Sequence, residues 1–139
     1  MDAVIIECNI DDMNPEYYSY VMERLFEAGA DDVFMQNIIM KKSRPAVKLS
    51  VLCEPEKRDE MEKILFTETS TLGIRYYNVK KSILDRRTTT VETQWGPVRV
   101  KEACYQGEKL KAKPEYEDCA EIARKHGISI EKVYKACRI

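Results

Sequence analysis

The chain has 139 residues, of which 44% are hydrophobic and 34% are charged, and its formal net charge is −1. This length is typical of one globular domain with a core of its own. A net charge so close to zero gives no long-range attraction to nucleic acid or to an anionic membrane, so we expect neither as a partner. No apolar run approaches the roughly 18 residues that cross a bilayer, and no signal peptide is recognisable, which favours a cytoplasmic location.

The cysteine and histidine content excludes several classes of site. The five cysteines are widely spaced and contain no C-x-x-C pair, which argues against a disulfide framework or a structural zinc site. The single histidine, His126, has no matching nucleophile and acid pattern, which argues against a serine or cysteine hydrolase. Neither of the common glycine-rich phosphate-binding motifs is present.

The first predicted elements are a strand and a helix separated by a short polar segment. Ala3-Val4-Ile5-Ile6 is an apolar run typical of a strand, which we extend to Asn9. Asn14 is a good N-cap and Pro15 a good first helical residue, and Gly29 ends the helical pattern. Acidic and amide side chains therefore gather where a strand passes into a helix.

Two further strands, a second helix and a fourth strand follow. Val33–Met40 has the composition of a buried strand, and the alternation over 47–53 predicts the next one. Pro55 begins a second helix. A turn rich in threonine and serine, Thr67–Gly73, leads into a strand from Ile74.

The rest of the chain predicts a β-hairpin and two helices. The segments 88–95 and 98–104 would pair across Gly96-Pro97. Pro114 begins a helix, and Ser129 caps a short last helix.

Taken in order, these elements predict an α+β fold. Residues 1–84 have the β-α-β-β-α-β order of a ferredoxin-like sandwich, and residues 85–139 add the hairpin and two carboxyl-terminal helices. Since no linker or repeat divides the sequence, we predict a single domain over 1–139. The open edges of such a sheet favour a homo-oligomer.

Topology brings three polar groups to one end of the predicted sheet. With right-handed crossovers, the first two strands run parallel and the other two run opposite to them, so three connections emerge together. Carboxylates beside cations suit a metal–triphosphate, because carboxylates bind Mg²⁺ or Mn²⁺ and cations bind phosphate oxygens. The three groups are Asn9 with Asp11 and Asp12; Lys41, Lys42 and Arg44; and the turn of residues 67–75.

Each group also has a purely structural interpretation. An aspartate beside a helix N-terminus is favourable by about 0.3–1 kcal/mol. The Lys41–Arg44 loop could be a solvated hairpin tip that protects a strand edge. The Thr67–Gly73 turn could be a helix C-cap in which Gly73 adopts a positive φ. Glu7, Asn9 and Asp11 share one strand face, but neighbours there lie roughly 6.6–6.8 Å apart, so they cannot bind one ion unless the chain bends.

Several stretches of the chain together resemble the signature of the nickel insertion proteins (the LarC family). The sequence E-C-N-I-D-D-M-N-P-E over residues 7–16 is similar to the family pattern E-T-N-I-D-D-M-x-P-E, with Cys8 in place of the usual threonine. The likeness continues in order through nearly the whole chain, at residues 22–25, 29–33, 40–45, 68–75 and 114–119.

The resemblance implies a function in nickel insertion. Members of the family load Ni²⁺ into pyridinium-3,5-bisthiocarboxylic acid mononucleotide, which gives the nickel-pincer cofactor of lactate racemase. The implied reaction is a lyase-class, CTP-dependent cyclometallation that uses Mn²⁺ or Mg²⁺ and passes through a cytidylylated intermediate. This chain is similar to the carboxyl-terminal part of the family's proteins, which is associated with CTP, so we expect their amino-terminal domain as a partner. The enzymatic activity is that of the full-length proteins, and nucleotide binding is what we expect of this chain alone.

The resemblance and the topology give one set of site residues, with no catalytic residue assigned. We predict that the divalent ion is held by Asn9, Asp11 and Asp12. We predict that the nucleotide is bound by Lys41, Lys42, Arg44, Thr69, Thr71 and Arg75. Two alternatives of another class stay open: a non-enzymatic module that senses a small metabolite, and an oligomerisation domain.

Overall fold

The computed structural model describes residues 1–138, which divide into two compact units. Unit 1 spans Met1–Ser82, and unit 2 begins at Ile83. The described residues contain four α-helices and two antiparallel sheets, which is the mixed α and β composition that the sequence predicts. The expectation of one domain over 1–139 stays a prediction. No helix among the described residues is both long and apolar enough to span a membrane.

Unit 1 has the predicted β-α-β-β-α-β order. Its neighbouring strands are all antiparallel, in the order β2-β3-β1-β4, so β1 and β2 run in the same direction. The elements of unit 1 are β1 (Asp2–Ile10), α1 (Tyr17–Glu27), β2 (Asp32–Met40), β3 (Arg44–Cys53), α2 (Arg58–Glu68) and β4 (Arg75–Lys80).

The core of unit 1 lies between the two helices and one face of the sheet. Alternate residues of β1, from Val4 to Ile10, are buried on this face. The helices add residues at helical spacing, such as Val21 and Leu25 from α1 and Leu65 from α2. Burying such side chains contributes roughly 1.5–3 kcal/mol each. The apolar residues recur every second position along the strands and about every 3.6 positions along the helices, and this determines which faces pack together.

The second strand differs from its prediction as a buried strand. In β2 only Val33 is buried, and Ile39 is 71% exposed. The sheet order places β2 at an edge, with β3 as its one neighbour. An apolar run alone does not reveal whether a strand is central or at an edge, because that depends on the order of strands in the sheet.

The first helix begins at Tyr17 with Glu16 as its N-cap, so the prediction of Asn14 as the N-cap was wrong. Asn14 stabilises the turn before the helix. Its Oδ1 accepts a hydrogen bond from the backbone N–H of Glu16 at 3.0 Å, and its carbonyl accepts one from Tyr17 at 3.0 Å. These bonds satisfy N–H groups that a helix N-terminus leaves free.

Unit 2 contains a three-stranded sheet where the sequence predicted a two-stranded hairpin. The order is β5-β6-β7, with antiparallel neighbours. Pro114 ends β7, paired with Val100, instead of beginning the helix. β7 alternates lysine with Leu110, Ala112 and Pro114, a period-two pattern that was overlooked because Pro114 was interpreted as the start of a helix. The elements are β5 (Asp85–Thr93), β6 (Gly96–Tyr105), β7 (Glu108–Pro114), α3 (Tyr116–His126) and α4 (Ile130–Ala136).

The ends of the two helices of unit 2 follow their sequence signals. Gly127 ends α3 in the left-handed conformation, with φ of 62°. Ser129 caps α4, because its hydroxyl oxygen accepts a hydrogen bond from the N–H of Lys132 at 3.3 Å. Local capping chemistry was therefore sufficient to locate both ends.

Candidate functional site

Three polar contacts connect separate segments at one end of the unit 1 sheet. Arg44 at the start of β3 donates to Asp11, with 3.3 Å between Nη1 and Oδ2. The hydroxyl of Ser70 donates to Oδ1 of Asp12 at 2.6 Å. Arg75 at the start of β4 donates to Oδ1 of Asn9 at 3.1 Å. The acidic group therefore contacts both the basic turn and the segment after α2. We call the region formed by Asn9, Asp11, Asp12, residues 41–44, Ser70 and Arg75 the polar end.

The basic loop forms a tight turn between the edge strand β2 and its neighbour β3. Met40 pairs with Arg44, and Lys41–Ser43 connect them. Lys42 and Ser43 both have positive φ, at 63° and 57°, which is uncommon for residues with a side chain. Among residues 1–138 neither Lys41 nor Lys42 has an ion-pair partner, so the turn exposes two uncompensated positive charges.

Glu7 forms a network that the sequence did not reveal. Its carboxylate is on a residue only 8% exposed. The Tyr77 hydroxyl donates to Oε1 at 2.7 Å, Arg75 to Oε2 at 3.1 Å, and Lys48 Nζ lies 3.6 Å from Oε2. The hydrogen bond from Tyr77 and the charges of Lys48 and Arg75 lower the pKa of Glu7, against an opposing effect of burial.

The register of the sheet explains why Glu7 was missed. Glu7 is paired with Arg75 on one side and with Ser50 on the other. Because side chains alternate along a strand, the sequence places Glu7 and Asn9 on the same face. Their neighbours on β3 and β4 depend on the register of the sheet. Arg75 contacts both Glu7 and Asn9 through Nη2, so the network also orients the predicted Asn9–Arg75 pair.

The two predicted threonines use their hydroxyl hydrogens within the turn after α2. Thr69 donates to the carbonyl of Leu65 at 2.6 Å, and Thr71 donates to the carbonyl of Gly73 at 2.8 Å. The interpretation of this turn as a C-cap with positive φ at Gly73 was wrong, because Gly73 is not among the glycines of positive φ. The hydroxyl of Thr69 bonds the end of the helix instead, and the turn is shaped by side chains.

A groove of about 470 Å³ adjoins the polar end. It lies on the helix-covered side of the sheet, where Ile10, Val47 and Asn37 are aligned across three strands. Its walls are mostly apolar, and Asp11 and Asn37 are its polar residues. The apolar side chains include Met13, Tyr18, Met35 and Pro45.

The protein side chains alone do not form a closed metal site. Within residues 1–138, no group of three or more His, Cys, Asp or Glu side chains is arranged to bind a metal ion. Cys8 lies beside the acidic segment in the chain, but its side chain packs in the core of unit 1, and burial raises its pKa to about 11. Asn9, Asp11 and Asp12 provide oxygen atoms, the ligand type that Mg²⁺ and Mn²⁺ prefer.

Known proteins resemble this chain over almost its full length. The model of the nickel insertion protein family matches residues 1–134. The pyridinium-3,5-bisthiocarboxylic acid mononucleotide nickel insertion protein of Clostridium acetobutylicum is 52% identical over 132 residues, covering 95% of this chain and 31% of the relative. The protein of the same name from Clostridium kluyveri is 49% identical over 134 residues, covering 96% of this chain and 34% of the relative.

Solved structures show the same fold. One is described as LarC2, the C-terminal domain of a cyclometallase involved in the synthesis of the NPN cofactor of lactate racemase, in its apo form. It superposes with a TM-score of 0.93 at 43% identity, covering 98% of this chain and 94% of that one. Protein MK0293 from Methanopyrus kandleri has a TM-score of 0.71 at 22% identity, which is a likeness of fold alone.

This chain is much shorter than the curated relatives that it matches. The chain spans about a third of the length of the curated relatives, 31% of one and 34% of another. The family model nevertheless covers residues 1–134, both units included. The chain therefore belongs to the nickel insertion protein family.

Proposed function

We propose that the polar end of unit 1 binds the triphosphate of CTP together with Mn²⁺ or Mg²⁺. In this proposal the chain is the carboxyl-terminal, nucleotide-binding part of a protein that loads Ni²⁺ into pyridinium-3,5-bisthiocarboxylic acid mononucleotide. The observation that supports it is the contact of carboxylate, amide and cationic side chains from three segments at one end of one sheet. The strand order of unit 1 also supports a ferredoxin-like fold.

The cationic side chains of the turn have N–H groups available to bind phosphate. Lys41 and Lys42 are exposed, and the Arg44 side chain is 52% exposed, with Asp11 as its ion-pair partner. Charge-assisted hydrogen bonds to phosphate are roughly twice as strong as neutral ones. A phosphate at this turn would therefore gain two or three such bonds without displacing a buried pair. Arg75 is a weaker ligand, since Glu7 already binds it.

The acidic side chains fit a divalent ion that arrives with the nucleotide. Mg²⁺ in nucleotide sites is usually held by one or two carboxylates, with phosphate oxygens and waters completing its coordination. Asp11 and Asp12, with the amide oxygen of Asn9, offer that number and type of ligand. The metal would supply neutralisation of the triphosphate charge.

The remainder of the reaction requires partners beyond this chain. The relatives named as nickel insertion proteins are about three times longer than the matched region, which accounts for 31% of one. We therefore assign the enzymatic activity, nickel and the pyridinium substrate to the full-length proteins, acting with an amino-terminal domain. The edge strand β2, with Ile39 71% exposed, supports assembly as a homo-oligomer.

Calorimetric titration with CTP, with and without Mn²⁺, tests the nucleotide and the metal separately. We expect binding in the presence of Mn²⁺ and at least tenfold weaker binding in its absence. The double variant Asp11→Asn/Asp12→Asn should lose at least tenfold in Mn²⁺–CTP affinity. Asp31→Asn/Asp32→Asn is the matched control, because it changes another adjacent pair of aspartates at the start of β2.

Two results would contradict the proposal. No heat with CTP under either condition removes the nucleotide function and favours the sensing or oligomerisation alternatives. Equal losses in the two double variants would show that Asp11 and Asp12 have no specific part in binding the ion.

A further inference from the structure

We propose that one face of the unit 2 sheet binds a pyridinium mononucleotide through the anionic groups of that ligand. The inference rests on the proposed function, because the ligand class is the one for which the nickel insertion proteins are named. It gives this chain a second binding surface, in the unit that contains none of the site residues predicted from the sequence. We call this surface the basic face, and its cations are Arg86, Arg99, Lys101, Lys111 and Lys113.

The register of the unit 2 sheet brings these cations to one side. Lys101 of β6 lies directly opposite Lys113 of β7. Because side chains alternate along a strand, the next row on the same face is Arg86, Ala103 and Lys111, one residue from each strand. Neighbouring strands lie about 4.7–4.9 Å apart, so exposed cations flank the small side chain of Ala103 on both sides.

The usual charge pattern of a solvated sheet face does not account for this arrangement. Like charges directly opposite each other on neighbouring strands are destabilising. Lysines often protect the edge of a sheet, but Lys101 lies on the central strand β6. The other face has the usual pairing, because Glu102 lies 2.6 Å from Arg87 and 3.7 Å from Lys109. Uncompensated repulsion in a folded sheet is typical of a functional surface.

Most of the charge on the basic face is available to a ligand. Two of its cations are paired with acids at the start of α3, Arg99 with Asp118 at 2.7 Å and Lys101 with Glu115 at 3.1 Å. The other three have no ion-pair partner among residues 1–138. Charge-assisted hydrogen bonds to phosphate or carboxylate are roughly twice as strong as neutral ones.

The surface between the cations suits a flat, positively charged ring. Ala103 gives a small apolar floor, and Tyr105 follows it at the same-face spacing of β6 with 56% of its surface exposed. The face of a tyrosine ring attracts a cation. The ligand named for the family combines a pyridinium ring with a phosphate and two thiocarboxylic acids. Its ring therefore matches Tyr105, and its anionic groups match the surrounding cations.

Calorimetric titration with nicotinic acid mononucleotide tests the basic face, because this probe has a pyridinium ring, a carboxylate and a phosphate. The triple variant Arg86→Ala/Lys111→Ala/Lys113→Ala should weaken its binding at least tenfold, since three charge-assisted contacts are lost. The affinity for Mn²⁺–CTP should stay within twofold of the wild type.

The matched control removes the same charge from the helices of unit 2. Arg124→Ala/Lys125→Ala/Lys132→Ala replaces three exposed cations of α3 and α4 that also have no ion-pair partner in the described part of the chain. It should leave the affinity for the probe within twofold.

A second variant separates binding from folding. Ala103→Glu places a carboxylate between Arg86 and Lys111, where the ligand would lie. It should weaken binding of the probe at least tenfold and raise the midpoint of urea denaturation, because the cations gain an opposite charge. Ala103→Gln has a side chain of similar size without the charge and should have a smaller effect on both. A folded Ala103→Glu variant that binds the probe as the wild type does overturns the proposal.

Four further results would overturn the basic face as the site. A wild-type chain that binds Mn²⁺–CTP but not the probe removes it and leaves the proposed nucleotide function intact. Equal losses in the two triple variants show a general effect of charge. Loss of probe binding in Lys41→Ala/Lys42→Ala/Arg44→Ala, with none in the unit 2 variant, assigns the probe to the polar end. A wild-type chain that binds a single-stranded oligonucleotide but not the probe assigns the face to nucleic acid.

The proposed function fails in a different way. A wild-type chain that binds the probe through the basic face but gives no heat with CTP, with or without Mn²⁺, contradicts the nucleotide site of unit 1 and supports the basic face.

Discussion

The charged side chains of the two units are used differently. In unit 2, Asp118 accepts three hydrogen bonds from Arg99, at 2.9 Å from the backbone N–H, 2.9 Å from Nε and 2.7 Å from Nη2. At the polar end of unit 1, Asp11 and Arg44 share one bond of 3.3 Å. The unit 2 pair shares three bonds and connects α3 to β6, whereas the unit 1 pair leaves more oxygen lone pairs and N–H groups available to a ligand.

Each unit contains a carboxylate whose pKa is lowered by its partners. Hydrogen bonds from Arg99 lower the pKa of Asp118 to about 2. Glu7 in unit 1 is held in a similar way by Tyr77, Lys48 and Arg75, which lower its pKa. Both carboxylates contribute to the folded structure, so variants at these positions should affect stability. Variants in the basic turn should affect binding instead.

The largest effect should come from removing the cations of the turn. The triple variant Lys41→Ala/Lys42→Ala/Arg44→Ala should weaken Mn²⁺–CTP binding by about 100-fold, because up to three charge-assisted contacts to phosphate are lost. The measurement is calorimetric Kd. Lys109→Ala/Lys111→Ala/Lys113→Ala, which removes three charges from β7, is the control for net charge. Equal losses in both triple variants would contradict a specific phosphate site.

Replacing Glu7 should reduce stability. Glu7→Ala leaves the Tyr77 hydroxyl, Arg75 and Lys48 without their common acceptor, at a cost of about 2 kcal/mol in the free energy of unfolding. Urea denaturation measures this. Glu7→Gln, which keeps an acceptor for Tyr77, should lose less. A loss below about 0.5 kcal/mol in Glu7→Ala would show that the network does not stabilise the fold.

Replacing Asp118 should reduce stability somewhat less and leave nucleotide affinity unchanged. Asp118→Ala removes the acceptor of the three Arg99 bonds, at a cost of about 1–2 kcal/mol after allowance for solvent, since the Arg99 side chain is 61% exposed. A loss of more than twofold in Mn²⁺–CTP affinity would contradict the division of tasks between the two units.

The same carboxylate should make stability fall in acid. The pKa of Asp118 is about 2 in the folded protein, below the ordinary value of 3.8, so its contribution is fully present above about pH 4. It is lost as the pH falls toward 2. Urea denaturation between pH 5 and pH 2 should therefore show a smaller decrease for Asp118→Asn than for the wild type. Parallel curves would contradict the role of the Arg99 pair.

The smallest effect should be at the last helix cap. Ser129→Ala removes the side-chain acceptor of the Lys132 N–H, while the bond of 3.1 Å to the backbone carbonyl of Ser129 remains. The substitution should therefore cost about 0.5 kcal/mol in the free energy of unfolding. Ser129→Asp, which retains a capping oxygen, should restore most of it. A cost near zero would show that α4 is held by packing of Val133 alone.

Local signals in the sequence predicted most of the elements because their causes lie within a few residues. Gly127 and Ser129 cap the ends of their own helices, and these caps depend on no other part of the chain. β7 was missed although it alternates lysine with Leu110, Ala112 and Pro114, because Pro114 was interpreted as the start of a helix. Its pairing with β6 depends on the rest of the sheet.

Of the candidate site, the sequence predicted only the part that follows from the directions of the strands. Parallel β1 and β2 bring the acidic segment and the basic turn to one end, and the contact of Asp11 with Arg44 agrees with that argument. The contacts of Glu7 needed more than direction, because they depend on the register of β1 against β4.

The sequence by itself determined the order of elements in unit 1, the family and the three groups of polar residues, since these follow from local pattern and chain direction. The tertiary structure decided which polar side chains meet. A shift of one residue in register turns every side chain to the other face, so the union of Glu7, Arg75 and Asn9 on one face depends on the whole sheet. The pairing of β2 with β3 likewise places Asn37 beside Val47, at the groove.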